Sequence, residues 1–173
     1  MVEEALRDPV SVVAHDLDRN RLVGIRLGSI KDLDNPSQPF ESLQKLSAKA
    51  QHIVNFLDEI EKDLELYIPK GYRRLLKLSV LNVDPDYYSM GIGHKMVQLS
   101  MELAKAIGCQ AIYSQLTALR TQQVYTEPNG YRILKKVYHK DFVDANGKRL
   151  FDCKEEFGSL AFRPLDCHCD AKM

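Results

Sequence analysis

The feature that most constrains this fold is a strand, a glycine turn and a helix in direct succession between Leu76 and Gly108. Positions 76–83 form an almost continuous apolar run, which is typical of a strand buried on both faces of a sheet. An Asp-Pro-Asp triplet at 84–86 ends that strand. A helix is predicted next, because apolar residues recur at spacings of three and four until Gly108 stops the pattern.

Gly91 and Gly93 mark the start of the predicted helix. The first N–H groups of a helix have no intrahelical partner and lie at the positive end of the helix dipole, so a glycine-lined helix start attracts phosphate. The same two glycines also fit an ordinary tight turn between a strand and a helix. The pattern alone therefore leaves both interpretations open.

A longer stretch around these glycines narrows the choice. The segment VDPDYYSMGIG at 83–93 resembles the acetyl-CoA-binding signature of the GCN5-related N-acetyltransferases, Arg/Gln-x-x-Gly-x-Gly/Ala after a strand end. The downstream segments YSQLTALRTQQVYTEPNGY and YRILKKVYHKDF are similar to the insect and nematode arylalkylamine N-acetyltransferases of that superfamily. The resemblance extends from Met1 to about Leu165. It departs from the signature at Tyr88, where the family has Arg or Gln.

The resemblance implies direct transfer of an acetyl group from acetyl-CoA to a primary amine, with an arylalkylamine as the first candidate acceptor. It implies that the pyrophosphate rests on N–H groups at the helix start. It also implies that the pantetheine arm pairs with the end of the central strand, where one N–H stabilises the oxyanion. The predicted cofactor-binding residues are Leu81, Asn82, Val83, Tyr88, Ser89, Met90, Gly91, Ile92, Gly93, His94 and Lys95.

Three hydroxyl side chains are the predicted catalytic residues. Tyr125 lies where many members carry the tyrosine that protonates the departing thiolate; the alternative is a packing residue on a helix. Thr117 and Thr121 match two hydroxyl positions of the arylalkylamine branch, and a spacing of four places both on one face of a helix. Helix capping by Thr117 is the alternative.

The general base is not found among these residues. The resemblance implies a glutamate beside a proline in a segment that would precede Met1. His15 and His139 are the candidate side-chain bases, because imidazole is a common proton acceptor in enzymes, although a lone histidine is more often structural. A chain of ordered water molecules would need no side chain. Two other functions stay open: acetylation of polyamines or other small alkylamines, and acetyl-CoA binding with weak or no catalysis.

Composition limits the class of partner. The chain has 173 residues, which suits one domain at 1–165 followed by a polar tail at 166–173. Because 24 basic and 24 acidic residues cancel, there is no electrostatic argument for nucleic acid or an anionic membrane. The expected partners are acetyl-CoA and a small amine, and the expected state is a monomer or homodimer.

Cysteine content and hydropathy indicate the cell compartment. The four cysteines have no spacing typical of a secreted disulfide framework. The triplet Cys167-His168-Cys169 resembles half of a zinc site, but no second ligand pair completes it, so no metal is predicted. No apolar run approaches the roughly 18 residues that span a bilayer, and no signal core is seen at the N-terminus. We therefore expect a cytoplasmic protein.

The order of elements predicts a mixed α/β (α+β) sheet with the acyltransferase fold, lacking its usual first strand and first helix. Strands are expected at 11–14, 22–27, 76–83, 111–115, 131–138 and 159–163, and a tight turn at 144–147. Helices are expected at 40–66, with Ser42 as its N-cap, at 92–107 and at 117–125. Positions 28–39 are predicted to be a loop.

Overall fold

A six-stranded mixed sheet organises the chain. The computed structural model describes residues 5, 7–35, 46–126 and 129–165. The strands are β1 (Val12–Asp16), β2 (Arg21–Asp32), β3 (Arg74–Val83), β4 (Ala111–Leu116), β5 (Arg132–Tyr138) and β6 (Phe157–Pro164). Their order across the sheet is β1-β2-β3-β4-β6-β5, and only β3 and β4 pair in parallel. The predicted fold class is confirmed.

The helices are α1 (Ala48–Glu61), the single turn α2 (Leu64–Tyr67), α3 (Ile92–Ala106) and α4 (Leu119–Thr126). They cover both faces of the sheet. Alternate residues of β3 belong to different apolar clusters: Leu76 and Leu78 pack with α3, whereas Leu75 packs with α1. This alternation is the period of two that a strand imposes on its side chains.

The loop predicted from Gly28 is wrong over Gly28–Asp32, which continue β2. These residues pair with Arg74–Leu78 of β3, so a partner strand extends β2 past its polar residues. Positions 36–39 of the predicted loop lie outside the described residues.

The long helix predicted at 40–66 is also corrected. Helix α1 begins at Ala48, and its N-cap is Ser47, whose side chain accepts a hydrogen bond from the Ala50 N–H. Positions 40–45 of the predicted helix, with the predicted N-cap Ser42, lie outside the described residues. The helix ends at Glu61 because Asp63 adopts a left-handed conformation and Lys135 of β5 donates to the carbonyls of Glu59 and Lys62. The apolar spacing of the sequence continues to position 66, but the contact with Lys135, which is remote in sequence, helps to end the helix at Glu61.

Other sequence-based expectations agree with the structure. The strands predicted at 11–14 and 22–27 correspond to β1 and β2, which pair antiparallel, and Gly108 ends α3 with a φ of 76°. The turn at 144–147 joins neighbouring segments through a bridge between Val143 and Arg149. The predicted polar tail at 166–173, with its two cysteines, lies outside the described residues.

Strand β1 forms one edge of the described sheet and pairs there with β2 alone. In that part of the chain, no strand occupies the place of the family's first strand. No described helix combines the length and apolar content needed to cross a bilayer.

Candidate functional site

The parallel strands β3 and β4 separate towards their carboxyl ends. Their pairing runs from Leu75 opposite Ala111 to Leu78 opposite Ser114, where the Ser114 hydroxyl donates to the Leu78 carbonyl at 2.7 Å. Strand β3 continues to Val83 while β4 stays paired with β6 up to Leu116. The last five residues of β3 therefore have no partner on the β4 side within the described chain.

A bulge accompanies this separation. Leu27 of β2 pairs with Val80, and the next residue, Gly28, pairs with Leu78, so Ser79 is the extra residue of β3. A bulge bends its strand and ends regular pairing locally. The bulge residue Ser79 directly follows Leu78, the last residue of β3 that pairs with β4, so β3 bends where the two strands separate.

Helix α3 begins beside the end of β3. Gly91 is its N-cap with a φ of 76°, a left-handed conformation that suits glycine. The first intrahelical bond there runs from the Lys95 N–H to the Gly91 carbonyl at 2.9 Å. The N–H groups of Ile92, Gly93 and His94 precede that bond and are the donors that an anion would meet.

These elements enclose a cleft of about 620 Å³. One wall is the end of β3, the second is the loop and first turn of α3, and the third is the start of α4. The lining residues are Leu81, Asn82, Val83, Tyr87, Tyr88, Ser89, Gly91, Ile92, Gly93, His94, Ala118, Arg120, Thr121 and Gln123.

Ten of the fourteen predicted site residues lie in this cleft. Met90 and Lys95 instead line a second hollow between α3 and β1. Thr117 is exposed and lies two residues before α4 begins, so it does not share a helix face with Thr121. Tyr125 does not line the cleft either, because its side chain is only 1% exposed within the core.

Tyr125 belongs to a polar group buried beneath the sheet. Its ring meets that of Tyr131 edge to face at 4.9 Å, and the Arg26 guanidinium lies 5.6 Å from its centroid. Arg26 Nη1 donates to the Leu27 and Val80 carbonyls at the bulge. Its Nε and Nη2, and the Tyr131 hydroxyl, have no hydrogen-bond partner among the described residues. Burial raises the pKa of Tyr131 well above its usual range.

The loop before α3 is tied to the hairpin. The Tyr87 hydroxyl donates to Asp16 at 2.5 Å, which lowers the pKa of the carboxyl and raises that of the phenol. Asp84 accepts from Arg21 at 2.5 Å and from the Asp86 N–H at 3.0 Å. These contacts hold Tyr88 and Ser89 at the mouth of the cleft.

Neither candidate histidine base lies in the cleft. His139 is buried, stacks on Phe56 at 4.4 Å and shares a hydrogen bond with the Glu155 carbonyl at 2.8 Å. His15 is exposed on β1 beside the second hollow. Within the described residues, no group of three or more His, Cys, Asp or Glu side chains is arranged to hold a metal ion.

Four lining residues were not found from the sequence: Tyr87, Ala118, Arg120 and Gln123. Of these four, Arg120 could most readily have been recognised from the sequence, because it is a cation near the start of a predicted helix next to the predicted site. Its position gives no reason to expect the contact it makes, since its Cζ lies 5.2 Å from the centroid of the Tyr88 ring across the cleft.

This chain is similar to known proteins in structure, but searches by sequence find no match. No protein-family model and no curated protein matches the chain. Arylalkylamine N-acetyltransferase 2 from Aedes aegypti aligns with a TM-score of 0.80 and 21% identity, over 94% of this chain and 76% of that one. The polyamine N-acetyltransferase of Drosophila melanogaster aligns with a TM-score of 0.66 and 16% identity, over 88% and 72%.

A more distant structure contains the cofactor. The NatC complex bound to a Gag peptide and CoA aligns with a TM-score of 0.55 and 14% identity, covering 91% of this chain and 72% of that one. The strand order, the opening between β3 and β4 and these alignments lead to one structural conclusion. The chain has the fold of the GCN5-related N-acetyltransferases.

Proposed function

We propose that this protein transfers an acetyl group from acetyl-CoA to a primary amine, with an arylalkylamine as its acceptor. One observation carries the proposal: a single cleft contains both the glycine-lined start of α3 and the end of β3, which has no partner on the β4 side among the described residues. The first can bind phosphate, and the second can pair with an extended amide-containing chain. CoA carries both groups, joined by a short linker.

The residues of the cleft fit this cosubstrate. A Cβ added at Gly91 would meet no atom within 4 Å, so the backbone is open to an incoming anion. Ile92, Gly93 and His94 offer their N–H groups there. Leu81, Asn82 and Val83 offer backbone groups for the pantetheine arm, and one of their N–H groups is the proposed oxyanion donor. CoA would supply the acetyl thioester.

The reaction forms a bond between the amine nitrogen and the thioester carbonyl carbon and breaks the C–S bond. The amine loses one proton, which passes through water to solvent, and the departing thiolate gains one. We assign the proton that the thiolate gains to the Tyr125 hydroxyl, four residues after the cleft-lining Thr121 on α4, and the tyrosine then regains a proton from solvent. Thr121 lines the cleft, so we propose that its hydroxyl donates or accepts at the reacting atoms; Thr117 is the weaker candidate because it lies outside the cleft lining.

The choice of acceptor rests on the comparisons. The alignment with the Aedes arylalkylamine enzyme is tighter than that with the Drosophila polyamine enzyme. No Asp or Glu is among the described residues that line the cleft. A polyamine, which carries several positive charges, is expected to require acidic partners. Polyamines and other small alkylamines are thus the second choice of acceptor.

The burial of Tyr125 favours another candidate function, acetyl-CoA binding with weak or no catalysis. A hydroxyl enclosed in the core has to reach the thiolate to protonate it. The replacement of the motif Arg or Gln by Tyr88 agrees with the same alternative.

Two measurements test these functions together. Isothermal titration with acetyl-CoA measures binding, and a thiol-release assay with phenylethylamines, indolylethylamines, agmatine and spermidine measures turnover. We expect binding, with turnover highest for the aromatic amines. Binding of acetyl-CoA without turnover of any amine would contradict the proposed acetyltransferase activity and favour the alternative, acetyl-CoA binding without catalysis. The absence of binding would contradict both.

A further inference from the structure

We infer that Arg120 of α4 supplies the phosphate-binding guanidinium of the cleft, in place of the loop residue that is Tyr88 in this chain. The inference rests on the proposed function and adds a binding residue to it. The ligand group is the pyrophosphate held at the start of α3.

The first step concerns charge. Arg120 is the only Lys, Arg, Asp or Glu among the described residues that line the cleft. A helix start provides about half a positive charge, which falls short of the two negative charges of a pyrophosphate diester. A cation in the same cleft would therefore strengthen pyrophosphate binding, and Arg120 is the one Lys or Arg that the described lining contains.

The second step concerns availability. No salt bridge joins Arg120 to an acidic residue in the part of the chain that the structure describes. Its described contact is with the face of the Tyr88 ring, at 5.2 Å from Cζ to centroid. An arginine held over an aromatic face keeps the N–H donors at the edge of its planar group. Those donors remain available to a phosphate.

The third step concerns position. Tyr88 lies in the loop before α3, whereas Arg120 is on α4, so the pair spans the cleft between two of its walls. An arginine at position 88 would bring its guanidinium from the loop. Here Tyr88 provides a ring on which the guanidinium from the opposite wall rests. The departure from the sequence signature and the presence of Arg120 are then two parts of one arrangement.

Arg120→Ala is the direct test, with Arg132→Ala as the matched control. Arg132 is an exposed arginine on the edge strand β5, so its loss removes the same charge away from the cleft. We expect Arg120→Ala to weaken acetyl-CoA binding about tenfold, as for one charge-assisted contact, and Arg132→Ala to leave it within about twofold. Melting temperatures of both variants check that they fold.

Ligand variants identify the group that Arg120 contacts. The loss should persist with 3′-dephospho-CoA, which keeps the pyrophosphate, and should vanish with S-acetylpantetheine, which has no phosphate. An equal loss with S-acetylpantetheine would indicate a structural role and overturn the inference. A loss that disappears with 3′-dephospho-CoA would also overturn it, by moving the contact to the 3′-phosphate.

A second substitution tests the exchange of positions. Arg120→Ala combined with Tyr88→Arg should recover most of the lost affinity, because the guanidinium returns from the loop. If a folded double variant recovers none of the lost acetyl-CoA affinity, then a guanidinium at position 88 does not replace the one at position 120, and the inference is contradicted. If the wild-type protein binds acetyl-CoA and Arg120→Ala binds it with the same affinity, this inference is overturned and the proposed function is not. Wild-type protein that does not bind would overturn the proposed function together with it.

Discussion

The two faces of the sheet differ in whether their charged and polar groups have partners within the chain. On the α1 face, the Glu61 side chain is only 13% exposed and is paired with Lys77 at 2.7 Å, with Lys31, and with the Tyr113 hydroxyl at 2.9 Å. On the α3 face, the cleft brings together N–H groups at a helix start and Arg120, which makes no described salt bridge. The first face satisfies its polar groups within the chain. The second leaves donors for a ligand.

The cleft end of the sheet also contains unusual backbone geometry. Ser89 and Gly91, both in the cleft, have φ angles of 63° and 76°. The β3 bulge and the separation of β3 from β4 lie at the same end of the sheet. Strain and unpaired groups together are typical of functional regions, whereas a fully paired ion network is typical of structural ones. Variants on the α1 face should therefore change stability, and variants in the cleft should change binding or turnover.

The largest expected effect is on the α1 face. Glu61→Gln leaves Lys77 and Lys31 without their anion in a partly buried site, so we expect a loss of about 3 kcal/mol in the free energy of unfolding. Urea denaturation measures it. Glu59→Gln, at a more exposed ion pair, is the control and should cost less than about 1 kcal/mol. A weakened affinity of folded Glu61→Gln for acetyl-CoA would break the comparison.

The same carboxyl should give a pH signature. Burial raises the pKa of Glu61, but Lys77 and Lys31 outweigh it, and the net pKa lies below the usual 4.5. Its stabilisation is therefore complete above about pH 4.5 and is lost as pH falls through the lowered value. Wild-type stability should fall more steeply over that acid range than stability of Glu61→Gln. Parallel curves would contradict this assignment.

Tyr125→Phe should lower turnover about tenfold to a hundredfold, while acetyl-CoA affinity stays unchanged, because a general acid acts only in the reaction. Steady-state kinetics and titration calorimetry measure the two quantities. Tyr131→Phe is the matched control: its ring packs against Tyr125, and its hydroxyl has no described partner. Equal turnover of Tyr125→Phe and wild type would remove Tyr125 as the acid.

Gly93→Leu should weaken acetyl-CoA binding at least about tenfold by filling the cleft at the helix start. A Cβ at Gly93 would make only ordinary contacts, at 3.7 Å to Val83 and 3.9 Å to Leu81, so we expect a small change in melting temperature. Gly93→Ala separates the effect of the Cβ from that of the larger side chain. An unchanged affinity for acetyl-CoA in folded Gly93→Leu would place the phosphate elsewhere.

The smallest effect concerns strain in the cleft loop. Ser89 has a left-handed φ of 63°, which costs a non-glycine residue about 1 kcal/mol. Ser89→Gly should raise the free energy of unfolding by about 0.5 kcal/mol, since glycine also gains entropy in the unfolded chain. Ser89→Ala keeps the strain and serves as the control in the same denaturation experiment. A lower stability of Ser89→Gly would show that the serine hydroxyl holds this turn.

Sequence by itself determined the strand, glycine turn and helix between Leu76 and Gly108, the two strands at the start of the chain and the region where the cleft lies. These features depend on local patterns: apolar periodicity, Gly and Pro positions and a short signature. Tertiary structure decided the length of β2, the end of α1, the burial of Tyr125 and the contact between Arg120 and Tyr88. Each of these depends on a partner remote in the chain, such as β3 for β2 or Lys135 for α1, and local patterns carry no information about such partners.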